Sequence, residues 1–400
     1  MKLFVCELKK IIEMPLLWIF LALCIGFNMI LLFSDANYFD YPDYVAEGAH
    51  KTGYKLDSNF YSELDKLSAS DLKYLEISPT DDVDYEKYMR ANYNLMLIND
   101  TVSPTDVFEG YDVTNVAETY IEGCEITNPR VAKAMREKFK NAQKYVEKLD
   151  KTDESLTLYF AGYTSDEFAN LFGSTMRTIL MEGILLASLV MLFSAGYENM
   201  CGTEALMYST RKGRNVLFPK LGASLVCALA GYALITLITL TVYFLIHDYS
   251  AILNSSVSSC FNYWNDLISG VRPFVTCGSF TIWQYLLAGI GISLIIVIFF
   301  VVFAFAIGTL VRNTYIAFGT LLVLNVGTFV LTFMLSVNNI FKYLLCCTPI
   351  DLWYLQATWF TDGGGNVLFT HFETLGSCIS LAVICILGAL MFRLFKRRDI

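Results

Sequence analysis

The sequence predicts an all-α polytopic membrane protein, with six transmembrane helices and a mainly helical extracytoplasmic domain between spans 1 and 2. Three observations predict it. Apolar residues make up 55% of the chain and charged residues only 17%. The charges are unevenly placed: residues 34–176 hold 14 Lys+Arg and 27 Asp+Glu, leaving 15 and 11 for the rest. Outside that block, several nearly charge-free runs exceed the roughly 18–20 apolar residues that cross a bilayer core. A soluble protein is excluded.

The elements follow in order. Residues 1–14 predict an interfacial helix, and the spans fall at 15–33, 176–196, 219–246, 281–310, 315–336 and 374–391. The first span is expected to stay as an anchor, because its apolar core is long. The sequence after it, Ser34-Asp35-Ala36-Asn37-Tyr38, is a poor cleavage site. Lys and Arg near the span ends set the orientation. With both termini cytoplasmic, the inner segments carry Lys2, Lys9, Lys10, Arg211, Lys212, Arg214, Lys220, Arg312, Arg393, Lys396, Arg397 and Arg398. The two short outer loops, 247–280 and 337–373, then carry only Arg272 and Lys342. The expected location is a bacterial-type plasma membrane, with a coupling elbow at 197–218 and a tail at 392–400 inside.

Segment 34–175 reads as a solvated, folded domain. Asn128 is a helix N-cap with Pro129 at the first helical position, and Val131, Met135, Phe139, Ala142, Val146 and Leu149 recur at three- and four-residue spacing. A second helix is expected from about Asp84 through Met89 and Tyr93 to Leu97. Thr164-Ser165-Asp166-Glu167 has capping-box spacing ahead of the second span. The block's acidity fits a solvated surface, and nucleic acid is not an expected partner.

Little in the chain carries catalytic chemistry. Cys24, Cys227, Cys378 and Cys385 lie in spans, where free cysteine behaves as a small apolar residue; Cys260 and Cys277 share a loop and could pair. His50, His247 and His371 lie in separate segments without a zinc-ligand spacing, so no metal is expected. A Walker A sequence is absent, and Gly363-Gly364-Gly365 reads as a turn. No cofactor of this chain's own is expected.

Two sets of residues suggest function. In the elbow, Gly202-Thr203 opens a short helix with Glu204 in its first turn, Leu206 and Met207 as an apolar knob, and Arg211 and Lys212 after its last turn. Such a helix suits a partner's groove; the same residues also fit an ordinary positive-inside loop at lipid headgroups. Within the spans, Glu182 is the costliest group and by default suggests function. It is a candidate for the translocation pathway, with Gln284 and Asn325 as weaker ones; a structural contact to a neighbouring span is the alternative for Glu182. Arg177 and Glu182 stand about 7.5 Å apart along a helix and about 140° around it, so a simple pair is not expected. Arg177 is expected to snorkel to headgroups, and Gly289 and Gly291 with Ser293 to allow close helix packing.

Three features taken together resemble the ABC-2 type permease subunits of ATP-binding cassette transporters. The start, Met1 to Lys10, looks like that family's amphipathic N-terminal segment. The elbow is similar to its pattern of Glu198, then Gly202-Thr203, then Ser209 to Arg214 and Lys220. The end, Phe392-Arg393-Leu394-Phe395-Lys396-Arg397-Arg398-Asp399, resembles its cationic exit from the sixth span. The long insertion after the first span resembles the subgroup with a large extracellular domain there. The resemblance implies an exporter permease without catalysis of its own, a second permease copy or paralogue, and a separate ATPase subunit that binds ATP and Mg. It implies a coupling helix at about Gly202 to Ser209, and Phe341 to Tyr354 as short re-entrant or interfacial helices. A non-transporting sensor or immunity protein, whose outer domain binds a ligand, is the alternative class. A membrane-embedded enzyme would need a polar cluster that the spans lack.

Overall fold

The computed structural model describes residues 2–36, 57–71, 112–151, 168–209, 213–254, 256–258, 276–311 and 313–397, with residues 43, 46, 50–53, 85 and 87–91 between them. The helices are α1 (Lys2–Ile12), α2 (Pro15–Ala36), α3 (Ser58–Asp71), α4 (Val113–Gly123), α5 (Pro129–Asp150), α6 (Met176–Met200), α7 (Glu204–Tyr208), α8 (Leu217–Ile246), α9 (Ser250–Leu253), α10 (Ile282–Leu310), α11 (Thr314–Met334), α12 (Ile340–Leu345), α13 (Pro349–Tyr354) and α14 (Phe372–Arg397). A π-helical turn, Ala169–Thr175, leads into α6. Among the described residues the only β pairings are two isolated bridges, Ser256 with Thr281 and Thr276 with Thr361. Six helices, α2, α6, α8, α10, α11 and α14, are long and apolar enough to cross a membrane, so the chain is a multi-pass membrane protein.

The bundle is built around α6 and α10. In the most apolar stretch of α6, 67% of residues are buried, against 17% for α11, which puts α6 at the centre and α11 at the edge. Helix α6 packs on α2, α8, α10 and α11, while α14 lies along α10. Close approach needs a missing side chain at Gly183: a Cβ there would stand 2.5 Å from the Tyr232 ring and 3.1 Å from Val297. The expectation for Gly289 and Gly291 is corrected. A Cβ at either would meet nothing within 4 Å, and the close crossings fall instead at Gly183 and Gly196 on α6, Gly231 on α8 and Gly308 near the end of α10. The carbonyl of Gly289 instead accepts a 2.8 Å bond from the Ser293 hydroxyl.

Connectivity defines two ends. At the near end lie α1, α7 and the last turn of α14. Helix α1 packs against α8, with Glu7 and Ile11 buried and Val5 and Ile12 exposed. At the far end, the 337–371 segment folds back over the bundle through α12, α13 and short 3-10 turns. Its anchor is the fully buried Trp359, whose indole donates to the Leu352 carbonyl at 3.1 Å while its own carbonyl accepts from the Tyr285 hydroxyl at 2.9 Å.

Helix α5 begins as its sequence dictates. The Asn128 side chain accepts from the Arg130 amide, Pro129 takes the first turn, and Val131, Met135, Phe139, Ala142, Val146 and Leu149 are all buried. The hairpin α4–α5 docks on the far-end segment. Asn338 accepts from the Thr127 and Asn128 amides at 2.6 and 2.9 Å and donates to the Glu125 carbonyl at 3.1 Å. The Tyr145 hydroxyl bonds His371 at 3.0 Å. The helix expected from Asp84 to Leu97 is described only at residues 85 and 87–91, which are helical. Residues 164–167 and Cys260 lie outside the described residues.

Lys138 closes this dock. Its ammonium donates to the Gly364 carbonyl and, at 3.1 Å, to the Val367 carbonyl. Gly363 and Gly364 turn the chain toward it with φ of +68° and +56°, which side-chain-bearing residues rarely adopt. Burial pushes the Lys138 amine down to about 8, against the upward pull of the Asp362 carboxylate. In the unfolded chain the amine keeps its proton to about 10.5. The folded state therefore binds fewer protons between those values, and stability should rise as pH rises from 8 toward 10.5, by roughly 3 kcal/mol at most. Because burial pushes the neighbouring Cys277 thiol up to about 12 and works in the opposite direction, the Lys138 contribution should be read as the difference between the parent chain and Lys138→Met in chemical denaturation in detergent at pH 7.5 and pH 10. Lys138→Met should abolish it while weakening the dock, since two buried carbonyls lose their donor.

Candidate functional site

Among the described residues, two polar clusters within the apolar bundle bear on the expected site residues. The first sits at the near end. Helix α6 ends on Gly202, at φ +67°. The Gly202 amide bonds the Asn199 carbonyl at 3.1 Å and the Thr203 amide bonds the Glu198 carbonyl at 2.9 Å, a Schellman closure that explains why Gly-Thr stands four residues after Glu198. The Glu198 carboxylate, 4% exposed, lies between two lysines. Buried Lys220 on α8 donates to Glu198 Oε2 and, at 2.6 Å, to the Ser194 carbonyl. Lys10 on α1 donates to Glu198 Oε1 at 3.3 Å and to buried Glu7 at 3.0 Å. Burial pulls the Lys10 amine down, but the two carboxylates outweigh it and hold it above its ordinary value. Two carboxylates and two ammoniums thus join α1, α6 and α8.

Helix α7 follows at once. Glu204 is in its first turn and Leu206 is 72% exposed. Arg211 lies outside the described residues, and Arg214 is in a 3-10 turn, Gly213–Val216, leading into α8. The structure therefore brings Glu198, Gly202, Thr203, Glu204 and Leu206 to one end of the bundle, braced by Lys220. Glu7 and Ser194 were not expected there and Lys10 was expected only as an inner-side cation; the signal for Glu7 was an acid within an amphipathic first helix.

The second cluster is mid-bundle. Asn28 on α2 donates to Glu182 Oε2 at 2.9 Å and reaches Thr239 Oγ1 on α8 at 3.0 Å. Glu182, 7% exposed, thus makes a structural contact to neighbouring spans. It also lines a groove of about 530 Å3 between α2 and α6. Asn28 was not expected here, and the one signal pointing to it is an amide within the first span. The other two candidates lie elsewhere. The Gln284 side chain forms a capping box with Thr281 at the start of α10, and Asn325 donates to the Leu321 carbonyl one turn back at 2.8 Å. Arg177, half-buried, reaches toward the far-end segment, with its guanidinium carbon 5.3 Å from the centre of the Tyr354 ring. Among the described residues no group of three or more His, Cys, Asp or Glu side chains could hold a metal ion.

No family model, no curated protein and no solved structure matches the chain.

The near-end cluster is the more consequential for stability. Removing one member of a buried ion pair leaves the other desolvated and unpaired, at roughly 3–5 kcal/mol. Lys220→Met should cost that much in detergent unfolding. The double variant Glu198→Gln, Lys220→Met should recover most of the loss.

Proposed function

We propose that the chain is the permease subunit of an ABC-2-like ATP-binding cassette exporter, sitting in a bacterial-type plasma membrane with both termini in the cytoplasm and the 34–175 insertion outside. The observation that carries this reading is α7. It is a short helix bearing exposed Leu206, held between two spans at the end where the cationic segments gather. A loop that only touched headgroups would need no rigid seat, whereas α7 hangs from a Schellman turn and from the Glu198–Lys220 pair.

In this reading a separate subunit binds ATP and Mg and receives α7 in a groove. Closure of that subunit pushes α7, and the push passes to α6 through the Glu198 turn and to α8 through Lys220. Because α6 is the central helix, its displacement alters its contact with α2 at Asn28 and Glu182. A second permease copy or paralogue completes the pathway. The chain needs no catalytic group, because the chemistry of hydrolysis lies in the partner.

Affinity purification of the tagged chain from its native membrane in mild detergent should bring down a stoichiometric subunit with a Walker motif and ATPase activity. Replacing Glu204 and reversing Arg211 and Arg214 should abolish coupling while leaving the chain in the membrane. A chain that is stable alone, with no ATPase partner in any detergent, would instead favour a ligand-binding sensor or immunity protein. With the complex in hand, Glu182→Gln should change substrate-stimulated ATPase turnover at normal expression; unchanged turnover would leave Glu182 with its structural contact alone.

A further inference from the structure

The groove between α2 and α6 has features that the bundle's packing does not require. One wall is apolar: Phe20, Leu23 and Phe27 on α2. Leu23 and Phe27 are 67% and 51% exposed, so the groove opens on a side face of the bundle, where a spanning helix meets hydrocarbon. Its other wall includes the π-helical turn at Gly173 and Ser174, then Arg177 on α6. Single π turns inside helices occur frequently at functional sites.

Arg177 is the group left unexplained. Its guanidinium stays charged in any protein environment. Its Nε is buried and has no hydrogen-bond partner, and it forms no ion pair with a carboxylate among the described residues. The contacts it has are with neutral groups: the Tyr354 ring beneath the guanidinium, and the Trp353 indole, which donates to the Arg177 backbone carbonyl at 2.7 Å. Glu182 does not neutralise it, being about 140° around the same helix and held by Asn28. A charged, partly desolvated group facing an apolar groove is costly within a membrane. A ligand that supplies an anion and an apolar chain together satisfies both walls.

We propose that this groove binds a membrane-resident anionic amphiphile, an acidic headgroup on an acyl chain, with the headgroup on Arg177 and the chain along Phe20, Leu23 and Phe27. A carboxylate and a phosphate both suit a guanidinium fork, so a fatty acid and an acidic phospholipid share the recognised chemistry. Ser174 stands beside the headgroup position, and Trp353 reports on occupancy. The proposal does not depend on the transport reading, since a bundle of either kind would hold such a lipid.

The test uses the full chain in phosphatidylcholine nanodiscs, titrated with phosphatidylglycerol or phosphatidylcholine carrying brominated acyl chains, which quench nearby indoles. The Trp353 signal is the difference between the parent chain and Trp353→Phe. Brominated phosphatidylglycerol should reach half-quenching at a mole fraction about fivefold lower than brominated phosphatidylcholine, the preference expected of one cation for an acidic lipid. Arg177→Gln should erase the preference and Arg177→Lys should keep much of it. Ser174→Phe, at an exposed position that tolerates bulk, should weaken quenching by both lipids with Arg177 intact. It therefore tests the groove even where an Arg177 variant fails to fold. A brominated fatty acid competing with the phospholipid would show that the anionic chain is what is recognised. Equal quenching by the two phospholipids in the parent chain, or a preference that survives Arg177→Gln, would overturn the proposal. Loss of the preference in excess inorganic phosphate at constant ionic strength would overturn it as well, by reassigning Arg177 to a soluble anion.

Discussion

Helix α6 carries Arg177, Glu182 and Glu198 along a stretch that is mostly buried, and each of these groups needs something that α6 cannot supply. In a low-dielectric bundle an unpaired charge costs several kcal/mol, so partners must come from other elements. Glu198 draws α1 and α8 to the near end through Lys10 and Lys220. Glu182 draws α2, and through Asn28 also α8, to the middle. Arg177 meets α13 of the far-end segment through Tyr354 and Trp353. One helix thereby gathers partners from α1, α2, α8 and α13, in keeping with its place at the centre of the bundle.

The three groups are not equally satisfied. Glu198 has two cations and a turn closed by its own carbonyl, Glu182 has an amide and the Cys24 thiol, and Arg177 has an aromatic face and an open groove. A fully satisfied cluster resists change, because breaking any one bond exposes a buried charge. The near end is therefore the stiff end, suited to passing a displacement along α6. The middle and far positions have weaker partners, since interhelical hydrogen bonds in membranes contribute only about 0.6–2 kcal/mol. In the proposed coupling, stiffness at one end and looser contacts further along are what a small movement at α7 needs to rearrange the α2–α6 groove without unfolding the bundle.

Much of this was legible in the sequence, and the reasons it was or was not are physical. The spans were legible because length and apolarity alone decide what crosses a bilayer. Helix α5 was legible because Asn128-Pro129 and a regular apolar stripe are local signals. The Schellman turn at Gly202 was foreshadowed by Gly-Thr after Glu198, a spacing that local hydrogen bonding dictates. The partners were not legible, because they depend on how helices cross: Asn28 and Glu182 are 154 positions apart, and Asn338 closes a turn some 210 positions earlier. Gln284 looked like an intramembrane polar group, although Thr281-x-x-Gln284 is also capping-box spacing, and the local use is the one the structure shows. Gly289 and Gly291 looked like packing glycines, but helix contact is set by the facing side chain, and Tyr232 and Val297 face Gly183 instead.

The docking of α4–α5 on the far-end segment links the insertion to the bundle more directly than its acidic, water-compatible composition suggests. Lys138 is the clearest sign, a buried cation held by two backbone carbonyls, near the Asp362 carboxylate and over the Phe139 ring. Such a group would be discarded if the hairpin only needed to be soluble. Its presence makes the dock specific, because no apolar replacement would satisfy the Gly364 and Val367 carbonyls that it binds. The segment it holds includes Trp359 and leads back through α13 to Trp353 and Arg177. Force or binding on the hairpin is thus connected, through short hydrogen-bonded steps, to the side of the groove that faces α2. An insertion joined in this way is packed as part of the bundle, linked through the far-end segment to the same central helix that carries the near-end cluster.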